Sequence, residues 1–387
     1  MASPSIFSFF AGTGFLDLGF ELNGFNMAYV NELHTPFMDS YQYSRLNLGI
    51  PHPMFGCVNE DVGKLVTSSG HSELTSIVQE SRSKSDFVGF IGGPPCPDFS
   101  VAGKNRGHTG EHGKLTATYV KLICQQQPSF FLFENVKGLW RTKKHRAFYE
   151  EMKAELHLHG YLTTERLVNA LEFGVPQNRE RIILLGFRRD ILRDLGIVQE
   201  GIDVLPEGVF PWDRYIKYPL ETLRQLPWPT TSLFREDGDV ESPEGIPLEL
   251  TVEYWFRKNS VLDHPNAGQY FRPRQGLLRF QTVEEGDDSR KSFKRLHRWR
   301  YSPTVAYGNN EVHLHPYKIR RISVAEALAL QSMPKEFTIP INITLTNAFK
   351  TVGNGVPYLV SQSLAQSILD FLGVHVEQRL NPLGISR

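Results

Sequence analysis

The stretch Ser5-Ile6-Phe7-Ser8-Phe9-Phe10-Ala11-Gly12-Thr13-Gly14-Phe15-Leu16-Asp17-Leu18-Gly19-Phe20-Glu21-Leu22 decides the fold class. Its first six residues are mostly apolar and read as a short buried strand. In the turn that follows, glycines let the backbone come close to a ligand and place a helix N-terminus beside it. Phe15–Leu22 then carries an amphipathic pattern, and Gly24 closes the helix as a C-cap does. Working outward, Met27–Val30, Phe87–Ile91, Phe130–Phe133 and Ile182–Phe187 read as strands. Leu115–Gln125 and Ala147–His159 read as helices, the second ended by Gly160. Strands alternating with helices over short loops predict an α/β fold with a doubly wound, mostly parallel sheet.

The alternation stops after Arg188. Nine prolines fall between Gly201 and Arg300, and no long period of 3.6 persists there. This segment is expected to form a second, smaller, loop-rich domain. Its charge is uneven: Glu200–Phe256 holds 4 basic and 12 acidic residues, whereas Tyr270–Pro303 holds 9 basic and 4 acidic. Regular structure resumes at Ser323, three residues before Glu326, the spacing of a capping box. A last helix from about Val356 to Leu372 is expected to pack back on the first domain. The expected division is therefore 1–187, 188–316 and a return over 317–387.

Composition narrows the class. The chain has 387 residues, of which 40% are hydrophobic and 22% charged, enough for a sizeable core in about two domains. Mean hydropathy is −0.30. No apolar run approaches the roughly 18 residues that a membrane span needs, so none is expected. Met1–Phe7 lacks a basic region before its apolar residues, so no signal peptide is expected and a cytoplasmic location is. Cys57, Cys96 and Cys124 lie far apart with no CxxC pair, which argues against a zinc site or a disulfide framework, and no metal is expected. Forty-two Lys plus Arg balance 42 Asp plus Glu, which leaves room only for a local basic surface.

Four groups carry chemistry. The Gly12–Gly14 turn suits nicotinamide and S-adenosylmethionine cofactors alike. The third glycine of the dinucleotide fingerprint is missing, because Phe15 and Leu16 follow Gly14, and that favours S-adenosylmethionine. Glu32, 20 residues after Gly12, ends the second strand where an acid can bind ribose hydroxyls, and Asp61 is expected to end a third strand and face an adenine. Gly92-Gly93-Pro94-Pro95-Cys96 places a cysteine on a proline-stiffened loop at the carboxyl end of a strand, a position for a nucleophile. Glu134 follows four apolar residues. A carboxylate there is costly without a partner or a job, and proton sharing with a substrate nitrogen is such a job. Arg179 and Arg181, two apart and entering a strand, point to one face and can hold a phosphate or brace a carboxylate.

In this order the segments resemble the DNA cytosine-5 methyltransferases, especially the bacterial modification enzymes. The blocks are Phe10–Gly14, Asn31-Glu32, Asp61, Pro95-Cys96 with Phe99-Ser100, Glu134-Asn135-Val136, and Gln177 with Arg179 and Arg181. Arg320 through Ser323, Glu326 through Met333-Pro334, Asn347–Lys350 and Gly353–Pro357 complete them. The resemblance implies a Rossmann-like methyltransferase that uses S-adenosylmethionine to methylate C5 of a flipped cytosine in a specific duplex DNA sequence. It implies Cys96 as the nucleophile at cytosine C6, Glu134 as the partner of N3 and the exocyclic amine, Arg181 as a further base contact, and Arg179 as its companion near the phosphate and Glu134. Phe10, Gly12, Gly14, Glu32, Asp61, Pro95 and Asn354 are the implied cofactor contacts, and Ser100 an implied DNA contact. A monomer acting near the nucleoid, with a cognate restriction endonuclease as a genetic partner, is the expectation that goes with it.

The chain departs from the family pattern at Pro97, Phe15, Leu33 and Gly355, and at none of the catalytic groups. The 188–316 segment occupies the family's target-recognition position. Its basic residues Arg272, Arg274, Arg279, Arg290, Lys291, Lys294, Arg295, Arg298 and Arg300 interleave with aromatic residues. In this stripe Arg272, Arg274, Lys291, Lys294 and Arg298 are the first candidates for DNA contacts. Thr304-Val305 resembles the Thr–aliphatic pair of such domains, and the acidic stretch 235–253 is expected to face away from DNA. An RNA cytosine methyltransferase and a silent DNA-binding protein on the same fold are the competing readings. The first is disfavoured by Glu134-Asn135-Val136 standing where one RNA class has its cysteine. The second is disfavoured by the presence of Cys96, Glu134 and Arg181 together.

Overall fold

A computed structural model describes residues 2–95, 111–202, 204–273, 277–305, 307 and 311–375. The first half alternates as β1 (Ser5–Phe9), α1 (Phe15–Leu22), β2 (Asn26–Asn31), α2 (Thr35–Leu48), β3 (Cys57–Val58), α3 (Ser68–Lys84), β4 (Val88–Gly92), α4 (Glu111–Gln126) and β5 (Phe130–Val136). It continues with α5 (Lys137–Arg141), α6 (Lys143–Leu158), β6 (Tyr161–Asn169), β7 (Gln177–Asn178), β8 (Glu180–Arg188) and α7 (Arg189–Asp194). Among its described residues the proline-rich segment holds the short helices α8 (Leu220–Gln225), α9 (Val252–Lys258) and α10 (Leu277–Thr282), a 3₁₀ turn at Leu248–Leu250, then β9 (Ser302–Pro303). The chain closes with α11 (Val324–Leu330), α12 (Leu345–Asn354) and α13 (Tyr358–Phe371).

Seven strands form one sheet in the order β3-β2-β1-β4-β5-β8-β6. The first five are parallel, and β8 runs antiparallel to both of its neighbours. Strand order reverses between β1 and β4, and a doubly wound sheet opens its ligand crevice at such a reversal. Phe9 aligns with Asn31 on one side and Gly92 on the other, and Gly92 aligns with Phe133. β1, β2 and β4 thus end together, and β5 runs on from Phe133 to Val136. Because β8 is antiparallel, its start reaches the same edge, with Arg181 opposite Val136.

The two faces of the sheet are covered separately. Phe20, Phe25, Phe130, Phe187 and the apolar side of α13 fill one face, and Phe7, Phe90, Tyr119, Ile123 and Leu156 fill the other. Sequence-distant α13 lies on α1, where a Cβ on Gly19 would fall 2.5 Å from the backbone of Ser361 and Gln362, so only glycine permits the approach. Asn23 Nδ2 donates to Gln362 O at 3.3 Å across the same seam. Capping fixes the return of regular structure as the spacing predicts: Ser323 Oγ accepts from Glu326 N, and the Glu326 carboxylate accepts from Ser323 N at 2.7 Å. A third core joins Trp255, Phe256 and Leu296 of the proline-rich segment to α11 and α12. A two-stranded parallel ribbon, β7 with β9, ties the same segment to the main sheet region, Gln177 opposite Ser302.

Candidate active site

The glycine turn is a left-handed run. Phe10, Gly12 and Gly14 have φ of 55°, 58° and 78°. Phe10 is the costly member, and its ring sits edge-on to Tyr119 at 6.0 Å. Gly12 N donates to Glu32 Oε2 at 2.9 Å, and His34 N donates to Oε1 at 2.8 Å, so the carboxylate at the end of β2 is held by the turn it faces. Behind the turn, Arg45 donates to Thr13 O at 3.0 Å and Gly14 O at 2.6 Å while pairing with Glu21 at 2.7 Å. A Cβ on Gly14 would fall 2.4 Å from the Tyr41 ring, which is why glycine stands there. Asp17, buried beside this pair and accepting from Ser8 Oγ at 2.9 Å, has its pKa pushed up to about 7 by burial. From the other side, Thr13 Oγ1 and Thr351 Oγ1 share a 2.6 Å hydrogen bond that brings α12, and Asn354 at its end, to the turn.

A cofactor fits this edge by the space its glycine leaves. Among the described residues, only Thr351 Oγ1 lies within 4 Å of where a Cβ on Gly12 would sit, at 3.9 Å. Leu33, next to Glu32, is 60% exposed, an apolar surface beside an acid that can take hydroxyls. Asp61 differs from its expected place. It ends no strand. It caps the single 3₁₀ turn Val62–Val66, three residues beyond β3, and accepts from Gly63 N at 2.7 Å. Asp61 Oδ1 is thus occupied by its own backbone, because the chain needs a cap where the strand was expected to run on.

The second half of the edge carries the carboxylate–arginine pair. Glu134 is 8% exposed on β5, and Arg181 Nε on β8 lies 3.0 Å from its Oε1. Burial lowers the pKa of Arg181, and the charge and hydrogen bond of Glu134 oppose that shift. Against the pair lies the loop after β4. A Cβ on Gly93 would fall 2.8 Å from Glu134 Oε2, and Asn135 Nδ2 donates to Pro94 O at 3.4 Å. Pro95 is exposed, and Cys96, the next residue, lies outside the described residues together with Ser100. The other two thiols are poor nucleophiles: burial pushes Cys57 up to about 11 and Cys124 up to about 12.

Arg179 lies within electrostatic reach of Glu134, as expected, and also ties segments together. It is 1% exposed and donates to three backbone carbonyls, Val305 at 3.4 Å, Asn354 at 3.4 Å and Gly355 at 3.0 Å. Burial, and then the charge of Arg181, lower its pKa. The charge of Glu134 opposes that shift, and the Arg179 Nε has no hydrogen-bond partner among the described residues.

The basic stripe also divides. Arg298 is 5% exposed, and its guanidinium meets both oxygens of the 1% exposed Glu285 at 2.9 Å, so it cannot reach a base edge. Arg295 is fully buried, donating to the carbonyls of Val283 at 2.8 Å and His315 at 2.6 Å, with its guanidinium 3.8 Å from the centre of the Phe234 ring. The interleaved aromatics therefore serve internal cation–π contacts: Arg298 on Tyr317, and Arg321 on Phe280 and Phe293. The acidic stretch packs on the basic one, because Gly238 O and Val240 O accept from Arg298 at 2.5 Å and Trp299 at 2.8 Å. Arg272 and Lys291 remain exposed, Lys291 in a 3.3 Å ion pair with Glu311, and Lys294 is half-buried. Arg274 lies outside the described residues.

Arg45, Glu21 and Asp17 were invisible in the sequence as site residues, since helical charges carry no local sign of what they brace. Among the described residues, Cys124, Glu155 and His159 form one group with ligand atoms within 4.8 Å of one another, brought together by the packing of α4 on α6 and away from this edge.

Solved structures share the architecture. A putative DNA modification methyltransferase encoded within an Escherichia coli prophage aligns with a TM-score of 0.63 at 21% identity, covering 96% of this chain and all of that one. A mutant form of Spodoptera frugiperda DNMT2 aligns with a TM-score of 0.58 at 15% identity, covering 96% and 100%. Fold and edge together define a Rossmann-like methyltransferase. The family model described as C-5 cytosine-specific DNA methylase matches residues 5–370, and the chain belongs to that family. Type II methyltransferase M.NmeDI of Neisseria meningitidis serogroup C is 54% identical over 374 residues, 96% of this chain and 85% of that protein. Type II methyltransferase M.FnuDI of Fusobacterium nucleatum is 26% identical, covering 94% and 95%. The protein is a C-5 cytosine DNA methyltransferase.

Proposed function

We propose that this enzyme methylates a cytosine turned out of duplex DNA, with Cys96 adding covalently to C6. The observation that carries the reading is the Glu134–Arg181 pair, 3.0 Å apart, with Gly93 pressed on Glu134 Oε2 one short loop before Cys96. Cytosine C5 is a poor nucleophile. Addition of the Cys96 thiolate at C6 makes the ring an enamine, whose C5 then takes the methyl group. Glu134 shares a proton with N3 and stabilises the charge that develops there, while Arg181 holds Glu134 in line and contacts the base. Loss of the C5 proton then restores the ring and releases Cys96. The target atoms are shielded in a duplex, so the base leaves the stack at a cost of a few kcal/mol.

S-adenosylmethionine supplies an electrophilic methyl group at the Gly12–Gly14 edge. Glu32 and Asn354 are the residues placed to bind it, with Phe10, Pro95 and the free oxygen of Asp61 beside them. Residues 188–316 act as the recognition region, and Arg272, Lys291, Lys294 and Thr304 are its contacts to DNA. The likeness to named Type II methyltransferases supports the modification half of a restriction–modification system, with an endonuclease as its genetic counterpart, acting as a monomer on DNA in the cytoplasm. Among the described residues no helix is long and apolar enough to cross a membrane. Bisulfite sequencing of DNA from a host expressing the protein tests the reading. Protection of one cytosine in a fixed short sequence is expected, and unprotected DNA from an active preparation overturns it.

A further inference from the structure

Two fully buried amides lie between the recognition segment and the end of α12 that carries Asn354. Gln177 Oε1 accepts from Val305 N at 3.3 Å, and its Nε2 donates to Leu330 O at 3.1 Å and to Gln331 Oε1 at 3.0 Å. Gln331 Nε2 in turn donates to Val352 O at 2.5 Å and Gly355 O at 3.4 Å. Both side chains are 0% exposed. Each amide nitrogen has an acceptor for both of its hydrogens, so neither amide can turn over without setting donor against donor. Thr304, the exposed neighbour of Val305, is anchored on Asn178 O at 2.5 Å, and Tyr307 backs Gly353, where a Cβ would fall 3.2 Å from it.

We propose that Gln177 and Gln331 are positioning residues that couple duplex DNA on the recognition side to the hold on S-adenosylmethionine at the Asn354 end of α12. The inference rests on the reading of residues 302–305 as recognition segment and Asn354 as cofactor contact. A buried donor left without an acceptor loses its hydration with nothing in return, so a shift of the Val305 backbone moves the amides with it instead of breaking them. Val352 and Gly355, the carbonyls on either side of Asn354, then shift too. Coupling of this kind is reciprocal: DNA tightens the methyl donor by the factor by which the methyl donor tightens DNA.

The test uses the full chain and a duplex bearing the site found by bisulfite sequencing. Calorimetry gives the S-adenosylmethionine affinity with and without that duplex for the wild type, Gln177→Met and Gln331→Met. In the wild type, DNA is expected to tighten the methyl donor about tenfold, within the roughly 5–150-fold range of such couplings. In Gln177→Met, whose native amide among the described residues makes no hydrogen bond to residues 352–355, affinity without DNA stays the same and the tightening falls below about twofold. Unchanged tightening in both folded variants, or none in the wild type, overturns the proposal. Asn354→Ala separates the two layers: if it leaves S-adenosylmethionine binding intact, the reading of Asn354 fails instead. Should a variant not fold, amide exchange of the wild type decides. Slower exchange at 352–355 on adding DNA alone supports the coupling, and unchanged exchange contradicts it.

Discussion

Arg181 Nε stands 3.0 Å from Glu134 Oε1 across neighbouring antiparallel strands, which puts a largely buried ion pair at the edge where the parallel strands β1, β2 and β4 end. The antiparallel turn of β8 is what brings the arginine there; a parallel strand would leave its first residues at the opposite end of the sheet.

Glu134→Gln is expected to cut the methyl-transfer rate by at least about 100-fold with little change in cofactor affinity, since general acid–base help is worth roughly 10²–10⁴-fold. Single-turnover rates beside calorimetry check this. A glutamine variant with normal turnover and weak S-adenosylmethionine binding would place Glu134 at the wrong end of the edge.

Glu32→Ala acts on the other half. Its carboxylate accepts from Gly12 N and His34 N, so the variant loses both the anchor of the turn and a partner for ribose hydroxyls. S-adenosylmethionine affinity is expected to fall at least about tenfold, an equivalent of roughly 1.4 kcal/mol. Equal affinity of the two proteins for the methyl donor rules the assignment out.

What the sequence disclosed follows from range. The Gly12–Gly14 turn, the Ser323–Glu326 cap and the passage from Phe133 into Glu134 are written within a few neighbouring residues, and the structure holds all three. The direction of β8, the β7–β9 ribbon and the fate of Arg298 depend on partners elsewhere in the chain. A stripe of arginines among aromatics looks the same whether it faces DNA or, like Arg298, meets Glu285 in the interior. Asp61 shows the reverse limit: a strand expected to run to residue 61 stops at Val58 because the next turn needs a capping carboxylate.

Arg298→Ala should therefore behave as a core defect. Removing one partner of a buried pair costs roughly 3–5 kcal/mol, and Glu285 would be left alone. A lower melting temperature is expected, with unchanged preference among DNA sequences in the surviving folded protein. Lys291→Ala should do the opposite, keeping stability and lowering the slope of log affinity against log salt by about one unit. Salt titrations and melting curves on both variants decide; relaxed sequence choice in a stable Arg298→Ala protein contradicts the burial argument.

Asp17 sets a pH dependence. Its folded pKa of about 7 lies above the ordinary 3.8, so the folded state holds the proton more tightly. That contribution to stability is fully present below about pH 4, declines as pH rises towards 7, and is gone beyond it. The groups facing it are Ser8, Tyr41, Glu21 and Arg45. Asp17→Asn keeps an acceptor for Ser8 without the titration, and is expected to melt several degrees higher than the wild type at pH 8 and no higher at pH 4. Parallel melting curves for the two proteins across that range refute the assignment.

The most direct test of the mechanism is to trap the enzyme on duplex DNA carrying 5-fluorocytosine at the target position, where loss of the C5 substituent is blocked, and to map the adduct by mass spectrometry. The account predicts a stable adduct, dependent on S-adenosylmethionine, on the peptide that contains Cys96, and none with Cys96→Ser. An adduct on Cys57 or Cys124, or full turnover by the serine variant, would contradict it.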